Sequence, residues 1–209
     1  MLNKILKELK NHSPFTLFGV LTGIIIMMLC RQVPYDVSYN LFYILHPAHV
    51  FLSALVTAAM YKIHECPEVS MKCIKGKCNL WKLFLIGYFG SVGIATISDS
   101  VIPYFFEILL DMQNTGIHIG FIEKWWLVNP LAIAGIIAAY YWQKTKFPHA
   151  AHVLLSTWAS LFHILMVRGE NLTFGSYFII AFCLFIAVLV PCCVSDIVFP
   201  LLFVKENNN

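Results

Sequence analysis

HPAHVFLS at 46–53 returns as HAAHVLLS at 149–156, and this recurrence decides how the rest of the chain is read. At a constant offset of 103, His46/His149, Ala48/Ala151, His49/His152, Val50/Val153, Leu52/Leu155 and Ser53/Ser156 are identical, six matches in eight positions. A second phrase follows each copy. SDSVIPYFF at 98–106 and SDIVFPLLF at 195–203 share Ser98/Ser195, Asp99/Asp196, Val101/Val198, Pro103/Pro200 and Phe106/Phe203. Upstream, Pro14/Pro130 and Gly19/Gly135 align at an offset of 116. Each half therefore carries three segments in one order: a Pro-Gly segment, a His-x-x-His segment and a Ser-Asp-x-x-x-Pro segment.

These polar phrases sit in apolar surroundings. Of 209 residues, 59% are hydrophobic and 12% charged, and the mean hydropathy is +0.76, whereas soluble domains carry about 25% charged residues. The composition predicts an all-α polytopic membrane protein. Apolar runs near the roughly 20 residues that cross a bilayer fall at 14–30, 39–61, 81–106, 127–142, 149–167 and 174–204, giving six transmembrane helices and no separate soluble domain. The first run lacks the small-residue cleavage pattern of a signal peptide, so it is expected to be retained.

Cytoplasmic loops carry the excess of Lys and Arg. With the N-terminus inside, eleven of the fourteen basic residues (Lys4, Lys7, Lys10, Lys62, Lys72, Lys75, Lys77, Lys82, Lys144, Lys146 and Lys205) fall on the cytoplasmic side, leaving Arg31, Lys124 and Arg168 outside. N- and C-termini are both expected in the cytoplasm. The net charge of +3 then reflects topology and implies no nucleic-acid partner. LNKILKELK at 2–10 has the apolar spacing of an amphipathic lead-in that lies on an anionic inner leaflet. Trp125 and Trp126 suit an interfacial anchor. The expected setting is the lipid bilayer of a prokaryotic cytoplasmic membrane, and a homo-oligomer is compatible with it.

Three spans is an odd number, so a three-span unit followed by its copy enters the membrane from opposite sides. Residues 1–110 form the first three-helix repeat and 111–209 the second, inverted one, a plan that recurs in secondary transporters. His46, His49 and Asp99 then gather toward the outer side and His149, His152 and Asp196 toward the inner. The two sets either converge or form two sites at different depths.

In a helix, His46, His49 and Ser53 share a face, as do His149, His152 and Ser156. Two imidazoles one turn apart suit a divalent transition metal, with Zn, Fe or Mn the most plausible, and Asp99 or Asp196 adds an anionic oxygen. An aspartate at the centre of a membrane helix costs about 2.5–3.5 kcal/mol and marks function by default. Pro103 and Pro200, four residues beyond each Asp, are expected to disrupt the helix and free carbonyls as further ligands. Ser53, Ser98, Ser156 and Ser195 fit packing or support of the ligands.

His163 follows His152 on nearly the same face without a counterpart, which suggests packing. His12, His64 and His118 fall in loops or at interfaces and are expected to be solvated. Cys66, Cys73 and Cys78 with His64 offer a soft-ion loop, but their spacing does not match a zinc knuckle. Cys192 and Cys193 lack counterparts and read as bystanders or local tuning, and Cys30 and Cys183 as filler. The sequon at Asn171–Thr173 is assigned no role. Together these residues favour a secondary transporter of a divalent transition-metal cation, coupled to protons, over an enzyme. The alternative is a membrane-embedded metal-dependent hydrolase using the same His, Asp and Ser set.

Overall fold

The computed structural model describes residues 2–29, 33–65, 79–112, 114–142, 146–167 and 174–204, and these are all-helical, without a strand among them. Helix α1 spans Leu2–Leu29 and α2 Tyr35–Glu65. A continuous helical stretch follows: α3 (Leu80–Tyr88), a π-helical turn at Phe89–Gly93, α4 (Ile94–Thr96), a second π turn at Ile97–Val101, and α5 (Ile102–Leu109). The single turn α6 (Gly120–Glu123) precedes α7 (Trp125–Tyr141) and α8 (Lys146–Met166). Helix α9 (Phe174–Cys193) continues through a π turn at Val194–Val198 into α10 (Phe199–Leu201).

Tyr35–Glu65, Leu80–Leu109 and Phe174–Asp196 are long and apolar enough to cross a membrane, and Ser13–Leu29 and Trp125–Tyr141 are shorter apolar helices. The chain is thus compatible with an integral membrane protein. Large apolar side chains such as Phe18, Ile44, Phe105, Phe178 and Phe182 face outward, where lipid in place of water removes the penalty of exposing them. The lysine-bearing lead-in and the first apolar run form one rod that passes through Pro14. The loop cysteines Cys66, Cys73 and Cys78, together with Cys30 and the sequon, lie outside the described residues.

Helices α2 and α8, which carry the two His-x-x-His pairs, pack along each other at the centre. Helix α1 docks on α8 and α7 on α2, while α9 flanks α8 and α1, and α3 flanks α2 and α7. Each Pro-Gly helix therefore lies against the His-x-x-His helix of the other half. The two aligned glycines permit this. A Cβ on Gly19 would come within 2.8 Å of Thr157 Oγ1, and one on Gly135 would meet the Phe51 carbonyl and lie 2.9 Å from Ala54 Cβ. Thr157 and Ala54 are themselves equivalent at the offset of 103. Small residues at matched places let helix backbones approach closely.

Apolar packing divides around the polar centre. Val20, Met27, Phe42, Leu161, Ile164, Ile180 and Leu184 form one cluster among α1, α2, α8 and α9. Ala54, Ala58, Tyr61, Ile86, Ile136 and Ala139 form another among α2, α3 and α7. Local chemistry sets the ends. Asn79 caps α3 by accepting from the backbone N–H groups of Trp81 and Lys82, and Lys62 Nζ donates to the Tyr140 carbonyl in the last turn of α7, where the helix dipole favours a cation.

Candidate metal centre

The two Ser-Asp phrases occupy the π turns at Ile97–Val101 and Val194–Val198, which coincide at an offset of 97. The N–H of Ile102 reaches Ile97 O and that of Phe199 reaches Val194 O, both five residues back. In that register the next residue would serve the carbonyls of Ser98 and Ser195, but it is Pro103 and Pro200, which have no N–H. Hydroxyls from the opposite half replace the missing donors. Ser160 Oγ donates to Ser98 O at 3.1 Å, and Thr57 Oγ1 donates to Ser195 O at 3.3 Å. Thr57 and Ser160 are again equivalent at 103. A hydroxyl therefore serves each of the Ser98 and Ser195 carbonyls, one residue before the Asp carbonyls that the proline spacing was expected to free. The π turns are nonetheless the local device that aims the aspartates, in keeping with the frequent use of π bulges at functional sites.

Asp99 is fully buried. His46 Nδ1 lies 2.9 Å and His49 Nδ1 2.7 Å from its Oδ2, while Ser156 Oγ donates to Oδ1 at 2.7 Å. Ser98 Oγ joins Ser156 Oγ at 2.7 Å. In the other half, His149 Nδ1 lies 2.9 Å and His152 Nε2 3.3 Å from Asp196 Oδ2. Ser53 Oγ meets Ser195 Oγ at 3.1 Å, matching the Ser98–Ser156 pair. Thr57 Oγ1 and the Gly90 carbonyl complete the surroundings of Ser195 Oγ at 3.0 and 2.9 Å. The serines of one half thus hold the acidic turn of the other.

His49 and His152, equivalent residues, stack with ring centroids 5.7 Å apart and planes 5° from parallel. The two sets are distinct groups that meet ring to ring through these residues. Three groups of ligand atoms, each within 4.8 Å of one another, run through this contact: His46, His49 and Asp99; His149, His152 and Asp196; and, between them, His49, His152 and Cys192. A tetrahedral metal with bonds of about 2.0–2.1 Å to N or O places neighbouring ligands about 3.4 Å apart. The contacts in the two His-His-Asp sets therefore need to open by about half an ångström to admit such an ion. His149 is the most accessible ligand, with 21% of its side chain exposed.

A further acid–imidazole pair lies beside the first set. Glu107 of α5 and His163 of α8 are both fully buried, with Glu107 Oε1 2.7 Å from His163 Nδ1. His163 Nε2 accepts from the His118 backbone N–H at 3.4 Å, which places the ring hydrogen on Nδ1, donating to Glu107. Phe42 separates this pair from the metal candidates: its ring stacks on His46 at 5.2 Å and meets His163 edge-on at 5.4 Å. His118 Nδ1 and Tyr43 OH both reach Glu123 Oε2, at 3.2 and 2.5 Å, so His118 is engaged and not simply solvated. His64 bonds the Met60 carbonyl at 2.9 Å, and the side chain of His12 lies outside the described residues. Ending the third span at 106 put Glu107 in a loop, and this hid it. The usable clue was an acidic residue one step beyond Phe106, with the helix continuing to Leu109.

No protein-family model, no curated protein and no solved structure matches the chain.

Proposed function

We propose that the chain is a proton-coupled secondary transporter of a divalent transition-metal cation, built as six transmembrane helices in two inverted three-helix repeats with both termini cytoplasmic. The observation that carries this reading is the meeting of two equivalent His-His-Asp sets, one from each half, through His49 and His152. An ion held by His46, His49 and Asp99 has its next ligands one ring away. Alternating access needs both ends of such a path to be polar, whereas a single active site needs only one. The cross-docking groups α1 with α8 and α9, and α7 with α2 and α3, so the bodies that move against each other in this reading are these two exchanged bundles and not the sequence halves.

Protons are the fitting counter-ion because His and Asp must be deprotonated to hold a metal. Ser53, Ser98, Ser156 and Ser195 position the ligands and are not themselves ligands. Elemental analysis of the purified protein and uptake into proteoliposomes test the proposal. Wild type is expected to bind and move zinc, iron or manganese, with Asp99→Asn and Asp196→Asn each impaired. Wild type that binds and moves none of these ions refutes it.

A further inference from the structure

Cys192 stands where the other half has Ala95, at the offset of 97 that aligns the π turns. Both residues are buried, at 2% and 1% exposure, so the two sides of the His49–His152 contact differ by one thiol. A buried cysteine often serves only as a small apolar filler, and Cys183, packed among Ile180 and Leu184, fits that description. Cys192 differs, because its sulfur and one nitrogen from each of His49 and His152 lie within 4.8 Å of one another. These two imidazoles come from different halves and belong to different His-His-Asp sets. The thiol is therefore at the handover point.

We propose that His49, His152 and Cys192 form a third, central metal position, and that its sulfur makes the cargo a thiophilic ion, zinc foremost, discriminated from manganese. The inference rests on the transport reading and adds the chemical class of the cargo. Thiolate selects zinc and other soft or borderline ions, whereas carboxylate and water suit manganese. Metal binding also displaces the thiol proton, as it does for any cysteine ligand.

The two rings join the centre to the flanking sets, because His49 belongs also to the group with Asp99 and His152 to the group with Asp196. An imidazole has two nitrogens: His49 turns Nδ1 to Asp99 Oδ2 at 2.7 Å, which leaves Nε2 to hold an ion while the carboxylate orients the ring. Bonds of about 2.3 Å to sulfur and about 2.0–2.1 Å to nitrogen place tetrahedral ligands about 3.4–3.6 Å apart, inside the 4.8 Å that bounds these three atoms.

Cobalt(II) tests the centre, because sulfur ligation gives a near-ultraviolet charge-transfer band that nitrogen and oxygen ligation does not. The full-length protein carrying Cys66→Ser, Cys73→Ser and Cys78→Ser is compared with the same protein also carrying Cys192→Ala, the residue the equivalent position already accommodates. Loading with cobalt(II) is expected to give the charge-transfer band in the parent and not in the Cys192→Ala protein, while the visible d–d bands persist in both. Zinc-over-manganese preference in proteoliposome uptake is expected to fall at least tenfold in Cys192→Ala. If d–d bands and metal uptake are present but neither the band nor the preference depends on Cys192, the central thiol site is refuted and the transporter stands. If no divalent ion binds or moves in the parent or in wild type, both are refuted.

Discussion

Replacing Asp99 by Asn separates the charge of the site from its shape. Asp99 takes three contacts: His46 and His49 on Oδ2, at 2.9 and 2.7 Å, and Ser156 on Oδ1 at 2.7 Å. In Asp99→Asn the amide oxygen can face the two imidazoles and the amide nitrogen can donate to Ser156 Oγ. Ser156 then turns its own hydrogen to Ser98 Oγ, already 2.7 Å away. The Ser98 hydroxyl and the second amide hydrogen then need new acceptors, a smaller loss than stranding the imidazoles. Hydrogen bonds to a charged group contribute about 1.5–3 kcal/mol and neutral ones about 0.5–1.5 kcal/mol, so each histidine contact weakens by about 1 kcal/mol. Against this, the variant no longer bears the cost of about 2.5–3.5 kcal/mol for a carboxylate at the centre of a membrane helix. The two terms nearly cancel, and the thermal midpoint in detergent is expected to shift little.

Metal affinity is expected to behave differently. Asp99 is the one anion in its set, and disturbing groups that merely orient metal ligands already costs about 10–100-fold. Loss of an anionic ligand is therefore expected to weaken zinc binding at least about 100-fold, measured by isothermal titration alongside the melting curve. Asp99→Asn that melts like wild type and binds zinc with wild-type affinity refutes the assignment of Asp99 to the cargo. Asp99→Ala cannot make this separation, because it strands two imidazole N–H groups and a hydroxyl in the interior.

Gly135→Ala is expected to be the more damaging of the two matched glycine substitutions, because its Cβ meets the α2 backbone at Phe51, whereas that of Gly19→Ala meets the Thr157 side chain. Melting curves should show losses of about 1–3 kcal/mol for Gly135→Ala and a smaller one for Gly19→Ala. Glu107→Val strands the Nδ1–H of a neutral His163, and His163→Met strands the Glu107 carboxyl, each expected to cost about 1–3 kcal/mol, while the double variant is expected to be more stable than the worse single. A double variant as unstable as the worse single would overturn the pairing. Glu123 links loop and helix: burial raises its pKa, but bonds from Tyr43, His118 and the Ile119 N–H outweigh that and hold it below the ordinary 4.5. With the folded-state pKa depressed, its contribution to stability is complete above about pH 4.5 and is lost as pH falls through the folded value. Glu123→Gln should flatten the stability profile in that acid range and lower stability near neutrality, where the carboxylate's contribution is complete.

What was legible in the sequence was what occurs twice. The duplicated phrases named His46, His49, Asp99, His149, His152 and Asp196 as one system, and the side chains bring each trio together and join the trios. The aligned glycines mark two close approaches, of α1 to α8 and of α7 to α2. The π turns were not legible, because a run such as ISDSVIP shows an apolar helix with a proline and says nothing of a register shift. The role of Thr57 and Ser160 was hidden for a related reason. Their partners are carbonyls made vacant by prolines in another helix, and a three-dimensional crossing is needed to see who supplies the donor.

The residues missed were those that occur once. Cys192 corresponds to Ala95, Glu107 to Val204, His163 to Met60, and Pro47 to Ala150, and a residue without a counterpart has no second copy to draw notice to it. In a transporter made of inverted halves, strict equivalence would make the two ends of the path alike in affinity. Singletons are the way such a path acquires different ends. The buried Glu107–His163 pair lies only on the side of His46, across Phe42, and the thiol lies only on one side of the central stack. Such asymmetry can set how tightly an ion is held at each step, but it cannot set the direction of net flow, since a ligand site shifts an equilibrium only by its differential affinity for the states. Direction has to come from whatever gradient is coupled to the ion. In the proposed transporter the duplicated residues carry the passage of the metal, and the unpaired ones tune which ion passes and from which side it is most readily taken.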